Sequence, residues 1–217
     1  MTNQELFSYV DHTLLKPEAT PEQIAALCAE AAEHGTASVC VNGSYVALAK
    51  KLLDGKAKVC AVIGFPLGAM STAAKAFESA EAIRDGADEI DMVIHIGQLK
   101  AGNTDYVLED IKAVKAAIGD HILKVIIETC LLTEEEKITM CRLVTESGAE
   151  YIKTSTGFST GGATFDDVRL FAEHVGEGVK IKAAGGIRSR EDMEEFLRLG
   201  ASRLGTSSAV KILCGKN

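Results

Sequence analysis

The chain has 217 residues, of which 47% are hydrophobic and 25% charged, and its 31 acidic and 23 basic residues give a formal net charge of −8. This size and composition are typical of one folded domain with a full hydrophobic core, and they exclude disordered and collagen-like proteins. The negative charge, the lack of Trp and the four Tyr argue against binding to nucleic acid or to an anionic membrane surface, so any phosphate must be held by a local site.

No apolar run approaches the ~20 residues that a membrane span needs. The segment from Met1 to Pro17 lacks the cationic start and apolar run of a leader. The six cysteines form no CxxC pair, which favours reduced thiols and predicts a cytoplasmic protein. The five histidines show neither HxH nor HxxxH spacing, so we expect no metal centre and no other cofactor.

Short β-branched runs alternate with longer helical stretches along the whole chain. Strands are predicted at 10–14, 37–42, 58–64, 88–94, 122–129, 150–155, 179–184 and 202–206. Helices are predicted at 21–35, 71–86, 106–118, 133–148, 165–175 and 189–200. Eight βα units of about 27 residues each predict an α/β protein, a (β/α)8 TIM barrel, formed as a single domain over 1–217 with a short N-terminal extension. An open doubly wound sheet is the alternative, but the GxGxxG turn that it would carry after its first strand is missing.

Charged residues lie inside several of the apolar strands. Asp91, Lys124, Lys153 and Lys182 each lie within a run that contains Ile, Val, Leu or Ala. Side-chain alternation places all four on the face opposite the apolar set, and therefore in the barrel interior. The same count puts these further residues on that face: Cys40, Asn42, Glu89, Glu128 and Lys180. Buried ion pairs or misjudged strand ends would explain one such residue, whereas four on one face favour an active site at the carboxyl ends of the strands.

Two lysines on neighbouring strands suggest a specific chemistry. A lysine amine attacks a carbonyl carbon only when it is uncharged, and a second ammonium group nearby favours the uncharged form. Lys153 and Lys182 are placed for this on predicted strands 6 and 7. A Schiff base on such a lysine accepts electrons, so that a neighbouring carbon–carbon bond can break or form without a metal. Asp91 could transfer protons directly or through water.

Glycine-rich segments after the last strands are typical of phosphate sites. Gly185 and Gly186 follow predicted strand 7 and precede Arg188 and a helix, while Gly205-Thr206-Ser207-Ser208 follows strand 8. Glycine lets backbone N–H groups approach phosphate oxygens, and barrels often bind phosphate after strands 7 and 8. Thr156-Gly157, after strand 6, would add a third contact.

Together these segments resemble the 2-deoxyribose-5-phosphate aldolase family of class I, Schiff-base-forming aldolases. The resemblance runs from about residue 11 to 208 and rests on DHTLLKP (11–17), EIDMV (89–93), YIKTSTGF (151–158), KAAGGIR (182–188) and GTSS (205–208). It implies reversible cleavage of 2-deoxy-D-ribose 5-phosphate to D-glyceraldehyde 3-phosphate and acetaldehyde, with no cofactor. The partners would be the sugar phosphate, the aldehyde and further copies of the chain in a dimer or tetramer.

The resemblance also implies roles for individual residues. Lys153 would form the Schiff base, Lys182 would favour its uncharged form and assist proton transfer, and Asp91 would donate and accept protons. The substrate pocket would include Asp11, Cys40, Lys124 and Thr156. The phosphate would be bound by Gly157, Gly185, Gly186, Arg188, Ser207 and Ser208.

The sequence departs from the family pattern in two places. Phe158 stands where one branch of the family has a lysine, and no tyrosine follows Tyr151, whereas some members end in a tail with a terminal tyrosine. Other hypotheses stay open at this point. One is a different barrel enzyme that acts on sugar phosphates, either an isomerase or an enzyme similar to transaldolase. The other is a sugar-phosphate sensor without catalytic activity.

Overall fold

Eight parallel strands close into a barrel in the order of the chain. The structure is a computed structural model that describes residues 1–215, so Lys216 and Asn217 lie outside the described residues. The strands are β1 (Val10–Leu14), β2 (Ser38–Asn42), β3 (Lys58–Ile63), β4 (Glu89–Val93), β5 (Ile122–Ile126), β6 (Tyr151–Lys153), β7 (Lys180–Ala184) and β8 (Ala201–Thr206). The predicted (β/α)8 fold is confirmed.

Helices connect the strands and form the outer layer of the barrel. They are α1 (Asn3–Phe7), α2 (Pro21–His34), α3 (Val46–Leu53), α4 (Thr72–Arg84), α5 (Ile96–Lys100), α6 (Thr104–Ile118), α7 (Glu134–Ser147), α8 (Phe165–His174), α9 (Arg190–Arg198) and α10 (Ala209–Cys214). Capping boxes at Thr20, Thr133 and Ser189 fix the starts of α2, α7 and α9. Among residues 1–215, no helix has the length and apolar character needed to cross a membrane.

The apolar residues of the strands face outward and pack against the helices. Val39, Ile90, Val125, Ile152 and Ile181 belong to this layer of the core. Inside the barrel, a small apolar cluster of Leu15, Cys40, Cys60 and Val62 with Phe65 occupies the side of β2 and β3. Apart from a few further apolar side chains such as Val93 and Ile126, the interior carries charged residues, so the barrel separates an apolar outer core from a charged interior.

The strand register brings the charged residues together. Asp91 is the register partner of Lys124, and Lys153 is that of Lys182. Residues paired in this way on adjacent parallel strands point to the same face of the sheet. The predicted cluster of Asp91, Lys124, Lys153 and Lys182 in the barrel interior is therefore present in the structure.

Two residues of the predicted inward face differ from the buried cluster: Lys180 lies at the amino end of the barrel, and Glu128 lies beyond its strand. Lys180 begins β7 and is exposed, and its ammonium group lies 5.8 Å from the centre of the Tyr151 ring. β5 ends at Ile126, so Glu128 lies beyond the strand with a left-handed φ of 55°. Strand alternation applies only within a strand, so it does not hold at Glu128. At Lys180 it gives the face but not the exposure, because a long side chain at a strand end can reach solvent.

Candidate active site

A cavity of about 510 Å³ opens at the carboxyl ends of the strands. Lys153 lines it, while Asp91 and Lys182 are fully buried next to it. The loops that follow β1, β6, β7 and β8 form the rest of its wall. This is the end of a (β/α)8 barrel at which ligands bind.

Asp91 is the centre of the charged cluster. Its Oδ2 accepts hydrogen bonds from Nζ of Lys153 at 2.7 Å and Nζ of Lys182 at 2.6 Å. Its Oδ1 accepts one from Nζ of Lys124 at 2.8 Å and one from the Cys60 thiol at 3.0 Å. Burial alone would raise the pKa of Asp91, but the ammonium groups, that of Lys124 foremost, outweigh burial and hold it well below its usual range. Asp91 is therefore a carboxylate that contacts both lysines of the predicted pair.

Lys182 lies between two carboxylates. Its Nζ donates to Oδ2 of Asp11 as well as to Oδ2 of Asp91. Burial would lower the pKa of Lys182, but Asp11 and Asp91 raise it well above its usual range. Lys124 is held in the same way, because its contacts with Asp91 and Glu89 overcome the effect of burial and raise its pKa. Both side chains are therefore ammonium ions near Lys153.

The residues that the resemblance assigns to the substrate pocket fall into two groups. Thr156 lines the cavity. Asp11, Cys40 and Lys124 are fully buried and lie below the cavity wall, where Asp11 and Lys124 contact Lys182 and Asp91 respectively. Asp11 is placed to orient a charged neighbour rather than to line the cavity.

Cys40, Cys60 and Asp91 have donor atoms within 4.8 Å of one another. Such a set could hold a metal ion in other surroundings. Here Asp91 already accepts hydrogen bonds from three lysines, and Nζ of Lys124 lies 3.3 Å from Sγ of Cys60. Burial also raises the pKa of the Cys60 thiol. A metal ion here would meet ammonium groups and a protonated thiol, so these residues do not fit a metal.

The six residues predicted to bind phosphate all line the cavity: Gly157, Gly185, Gly186, Arg188, Ser207 and Ser208. Gly185 and Gly186 have left-handed φ angles of 79° and 77°, a conformation that glycine adopts without strain. The chain also approaches itself closely here, since a Cβ on Gly162 would lie 2.5 Å from the backbone of Gly185. The backbone amides of Arg188 and Ser189 donate to the Asp192 carboxylate, so the start of α9 is already capped.

Two further residues of the cavity wall had no predicted role. Lys16, exposed after β1, lines the same cavity as Arg188. Phe158 is 49% exposed, and its ring makes an edge-to-face contact with Phe65 at a centroid distance of 5.2 Å. The lysine in DHTLLKP was the available signal for Lys16, because its motif ends a strand at the same edge of the barrel.

Arg203 and Glu89 are the charged residues of the interior that received no role from the sequence. Nη1 of Arg203 donates to Oε2 of Glu89 at 2.9 Å and to Oδ1 of Asp11 at 2.6 Å. Both side chains are buried. Their position inside predicted strands, each followed by an aliphatic residue, was the available signal.

The closed barrel and the lysine-lined cavity at the carboxyl ends of its strands define an enzyme of the (β/α)8 class. A family model described as DeoC/LacD family aldolase matches residues 6–217. The chain belongs to that family, and its activity is that of an aldolase, a carbon–carbon lyase.

Relatives of known name agree with this assignment. The deoxyribose-phosphate aldolase of Streptococcus suis (strain 98HAH33) is 59% identical over 212 residues, which cover 97% of this chain and 96% of that protein. The deoxyribose-phosphate aldolase of Clostridium botulinum (strain Alaska E43 / Type E3) is 53% identical over 216 residues, covering 100% and 98%. Among solved structures, the tetrameric deoxyribose phosphate aldolase of Aeropyrum pernix superposes with a TM-score of 0.90 at 32% identity and covers 99% of this chain and 92% of that one.

Proposed function

We propose that the protein catalyses the reversible cleavage of 2-deoxy-D-ribose 5-phosphate to D-glyceraldehyde 3-phosphate and acetaldehyde through a Schiff base on Lys153. The observation that carries the proposal is the position of the Lys153 amine, which lines the cavity and donates to Asp91 at 2.7 Å. The names of the two bacterial relatives support the choice of substrate.

The chemistry begins at the aldehyde carbon of the open-chain sugar. The uncharged Lys153 amine attacks C1, and loss of water from the adduct gives the protonated imine. The C3 hydroxyl then gives up its proton, the C2–C3 bond breaks, and its electron pair moves into the imine to form an enamine. The C3 fragment leaves as D-glyceraldehyde 3-phosphate. Protonation of the enamine at C2 and hydrolysis of the imine release acetaldehyde and restore the amine.

Asp91 and Lys182 are the proposed proton-transfer groups. Asp91 lies against Lys153, and Lys182 is a nearby ammonium ion that donates to the same carboxylate oxygen. A positive charge at this point favours the uncharged form of Lys153, while the Asp91 carboxylate can take the proton that is lost and return one to the enamine.

The phosphate would lie at the end of the cavity away from Lys153. Gly157, Gly185 and Gly186 offer backbone close to a bound group, and Ser207 and Ser208 offer hydroxyls. Arg188 supplies the cation. Lys16 lines the same cavity and adds a second cation. Its charge would take the place of the lysine that one branch of the family has at the position of Phe158.

Borohydride trapping tests the proposal. Wild-type protein incubated with acetaldehyde and borohydride should gain one ethyl group, located by peptide mass at Lys153. The Lys153→Met variant should gain no ethyl group on the peptide that contains residue 153. The Lys180→Met variant, which removes an exposed lysine of β7, should be labelled at Lys153 like the wild type. Wild-type protein with an unmodified Lys153 would reject the Schiff base.

The alternatives from the sequence are not supported by the family assignment, which is that of aldolases and not of isomerases or sensors. We further propose that the chain acts as a single domain, in the cytoplasm, and as a homo-oligomer. The tetrameric relative supports the last point, and the six cysteines, all free thiols, support a reducing compartment. Light scattering of the purified protein measures the assembly, and a monomeric mass would contradict it.

A further inference from the structure

A second charged layer lies beneath the candidate site. Arg203 of β8 is 8% exposed and Glu89 of β4 is fully buried. Nη1 and Nη2 of Arg203 donate to the two carboxylate oxygens of Glu89 at 2.9 and 3.3 Å. The planar guanidinium group also lies 5.6 Å from the centre of the Tyr151 ring. Arg203 is thus fixed from several sides, although it does not line the cavity.

This layer is connected to the predicted catalytic groups through Asp11. Oδ1 of Asp11 accepts hydrogen bonds from Nη1 of Arg203 at 2.6 Å and from the Ser38 hydroxyl at 2.7 Å. The other oxygen, Oδ2, is left to accept from Lys182. Glu89 makes a parallel connection, because its Oε2 lies 2.6 Å from Nζ of Lys124, which donates to Asp91. Arg203 therefore orients Asp11 and Glu89, which contact Lys182 and Lys124 respectively.

The buried charges beneath the candidate site balance without Lys153. The three buried carboxylates of the network are Asp11, Glu89 and Asp91, and its buried cations other than Lys153 are Lys124, Lys182 and Arg203. Nζ of Lys58 also lies 3.4 Å from Oε1 of Glu89, but the Lys58 side chain is half exposed and its charge is solvated. An unbalanced charge in a buried site is costly. The three buried carboxylates are thus already matched by three buried cations, and none is left over to offset a positive charge on Lys153.

Other titratable groups also surround Lys153. The Cys60 thiol is protonated because burial raises its pKa, whereas a hydrogen bond with Cys60 lowers the pKa of the buried Cys40 thiol. Glu128 follows β5, where the amide and hydroxyl of Thr156 donate to its carboxylate, and it makes no ion pair within residues 1–215. The remaining charged and phenolic groups are exposed or at the edges of the barrel: Lys16, Lys58, Tyr151, Lys180 and Arg188.

We propose that Arg203 is a positioning residue for the aldolase reaction and that, paired with Glu89, it sets the charge balance which keeps the Lys153 amine uncharged. This inference rests on the proposed function of Lys153. Arg203 acts through Asp11, Glu89 and the lysines and does not touch the substrate. A structural support alone would hold the barrel together without affecting the titration of Lys153.

The test measures that titration directly. Lys153 is acylated by a trace of acetic anhydride across a range of pH, and the yield at its peptide gives the midpoint of reactivity without any turnover. Arg203→Gln removes one positive charge, so the midpoint should move up by roughly one pH unit, and kcat/KM at pH 7 should fall about tenfold. Glu89→Gln removes one negative charge and should move the midpoint down. The double variant should return it towards the wild-type value, and Arg203→Lys should keep it there.

The outcomes separate this inference from the proposed function. Borohydride trapping on the wild type is done first, and its failure rejects the Schiff base. When trapping succeeds, opposite shifts in the two single variants support the inference, and midpoints that stay within experimental error of the wild type overturn it. Should Arg203→Gln not fold, as judged by its thermal unfolding, the direction of the Glu89→Gln shift decides alone. The Arg203→Gln shift should persist in a Cys40→Ser background, and its disappearance there would assign the effect to the thiol and overturn the inference.

Discussion

Lys182 shows how much a single residue determines in the candidate site. Its ammonium group is held between Asp11 and Asp91, and both raise its pKa against the effect of burial. The pair of Lys153 and Lys182 was predictable from the sequence, because each lies in a short apolar strand and the two strands are consecutive. Arg203 was not assigned a role, since one arginine near the start of a predicted strand can equally extend to solvent.

Lys182→Met should lower kcat at pH 7 by about 100-fold or more, because it removes a proton-transfer group and a positive charge together. The loss of positive charge favours the ammonium form of Lys153, so the remaining activity should increase towards higher pH. The pH profile of kcat/KM measures both effects. Lys180→Met is the matched control, since Lys180 lies two residues away on β7 and is exposed, and it should leave the profile unchanged. A Lys182→Met profile of wild-type shape would argue against the pairing.

The phosphate end allows a prediction about substrate preference. Ser207 is exposed and lines the cavity. Ser207→Glu places a negative charge there and should lower kcat/KM for 2-deoxyribose 5-phosphate by at least about tenfold more than for 2-deoxyribose. Ser207→Gln introduces a side chain of similar size without the charge, so the loss of kcat/KM should differ much less between the two sugars. Equal losses on the two sugars would place the phosphate elsewhere.

Among the elements, those with strong end signals were predictable and those without were not. Helix α2 begins after Thr20, with Pro21 at its first position, and its predicted and observed bounds differ by one residue. Helix α3 was missed, since Tyr45 precedes it without a side-chain cap and a 3-10 turn leads into it. The short helices α1, α5 and α10 have five or six residues, too few to show a helical period.

Two helices are joined by a buried ion pair that was not foreseen. Lys75 of α4 and Asp110 of α6 are essentially excluded from solvent, and Nζ of Lys75 lies 2.5 Å from Oδ2 of Asp110. The periodicity of a helix marks such a lysine as an exposed residue, because sequence alone does not show that a carboxylate faces it.

Lys75→Met should lower the free energy of unfolding by about 3–5 kcal/mol, because it leaves the Asp110 carboxylate buried without a partner. Lys75→Met combined with Asp110→Leu replaces both charges by apolar groups and should recover most of the loss. Urea unfolding at neutral pH measures the free energy of unfolding of the wild type, the two single variants and the double variant. Additive losses in the double variant would show that the two residues do not act as a pair.

For the molecule as a whole, the charged interior makes stability depend on pH. The pKa values of Asp11, Glu89 and Asp91 all lie below their ordinary values, because the surrounding cations outweigh burial. A carboxyl group of this kind contributes stability that is fully present above its ordinary pKa, and that contribution is lost as the pH falls towards the value in the folded state. The ordinary values are 4.5 for Glu89 and 3.8 for the two Asp residues, so the loss begins near pH 4.5.

Below that pH, the unfolded chain binds three protons that the folded network excludes, which contributes up to about 4 kcal/mol per pH unit to the loss of stability. Urea unfolding between pH 3 and pH 7 measures the slope. The Glu89→Gln and Arg203→Gln double variant keeps the network balanced with one carboxylate fewer, so its slope should be smaller by up to about 1.4 kcal/mol per pH unit. Parallel curves for the wild type and the double variant would mean that the pKa of Glu89 is the same in the folded and unfolded states. The acid sensitivity would then arise from other carboxylates.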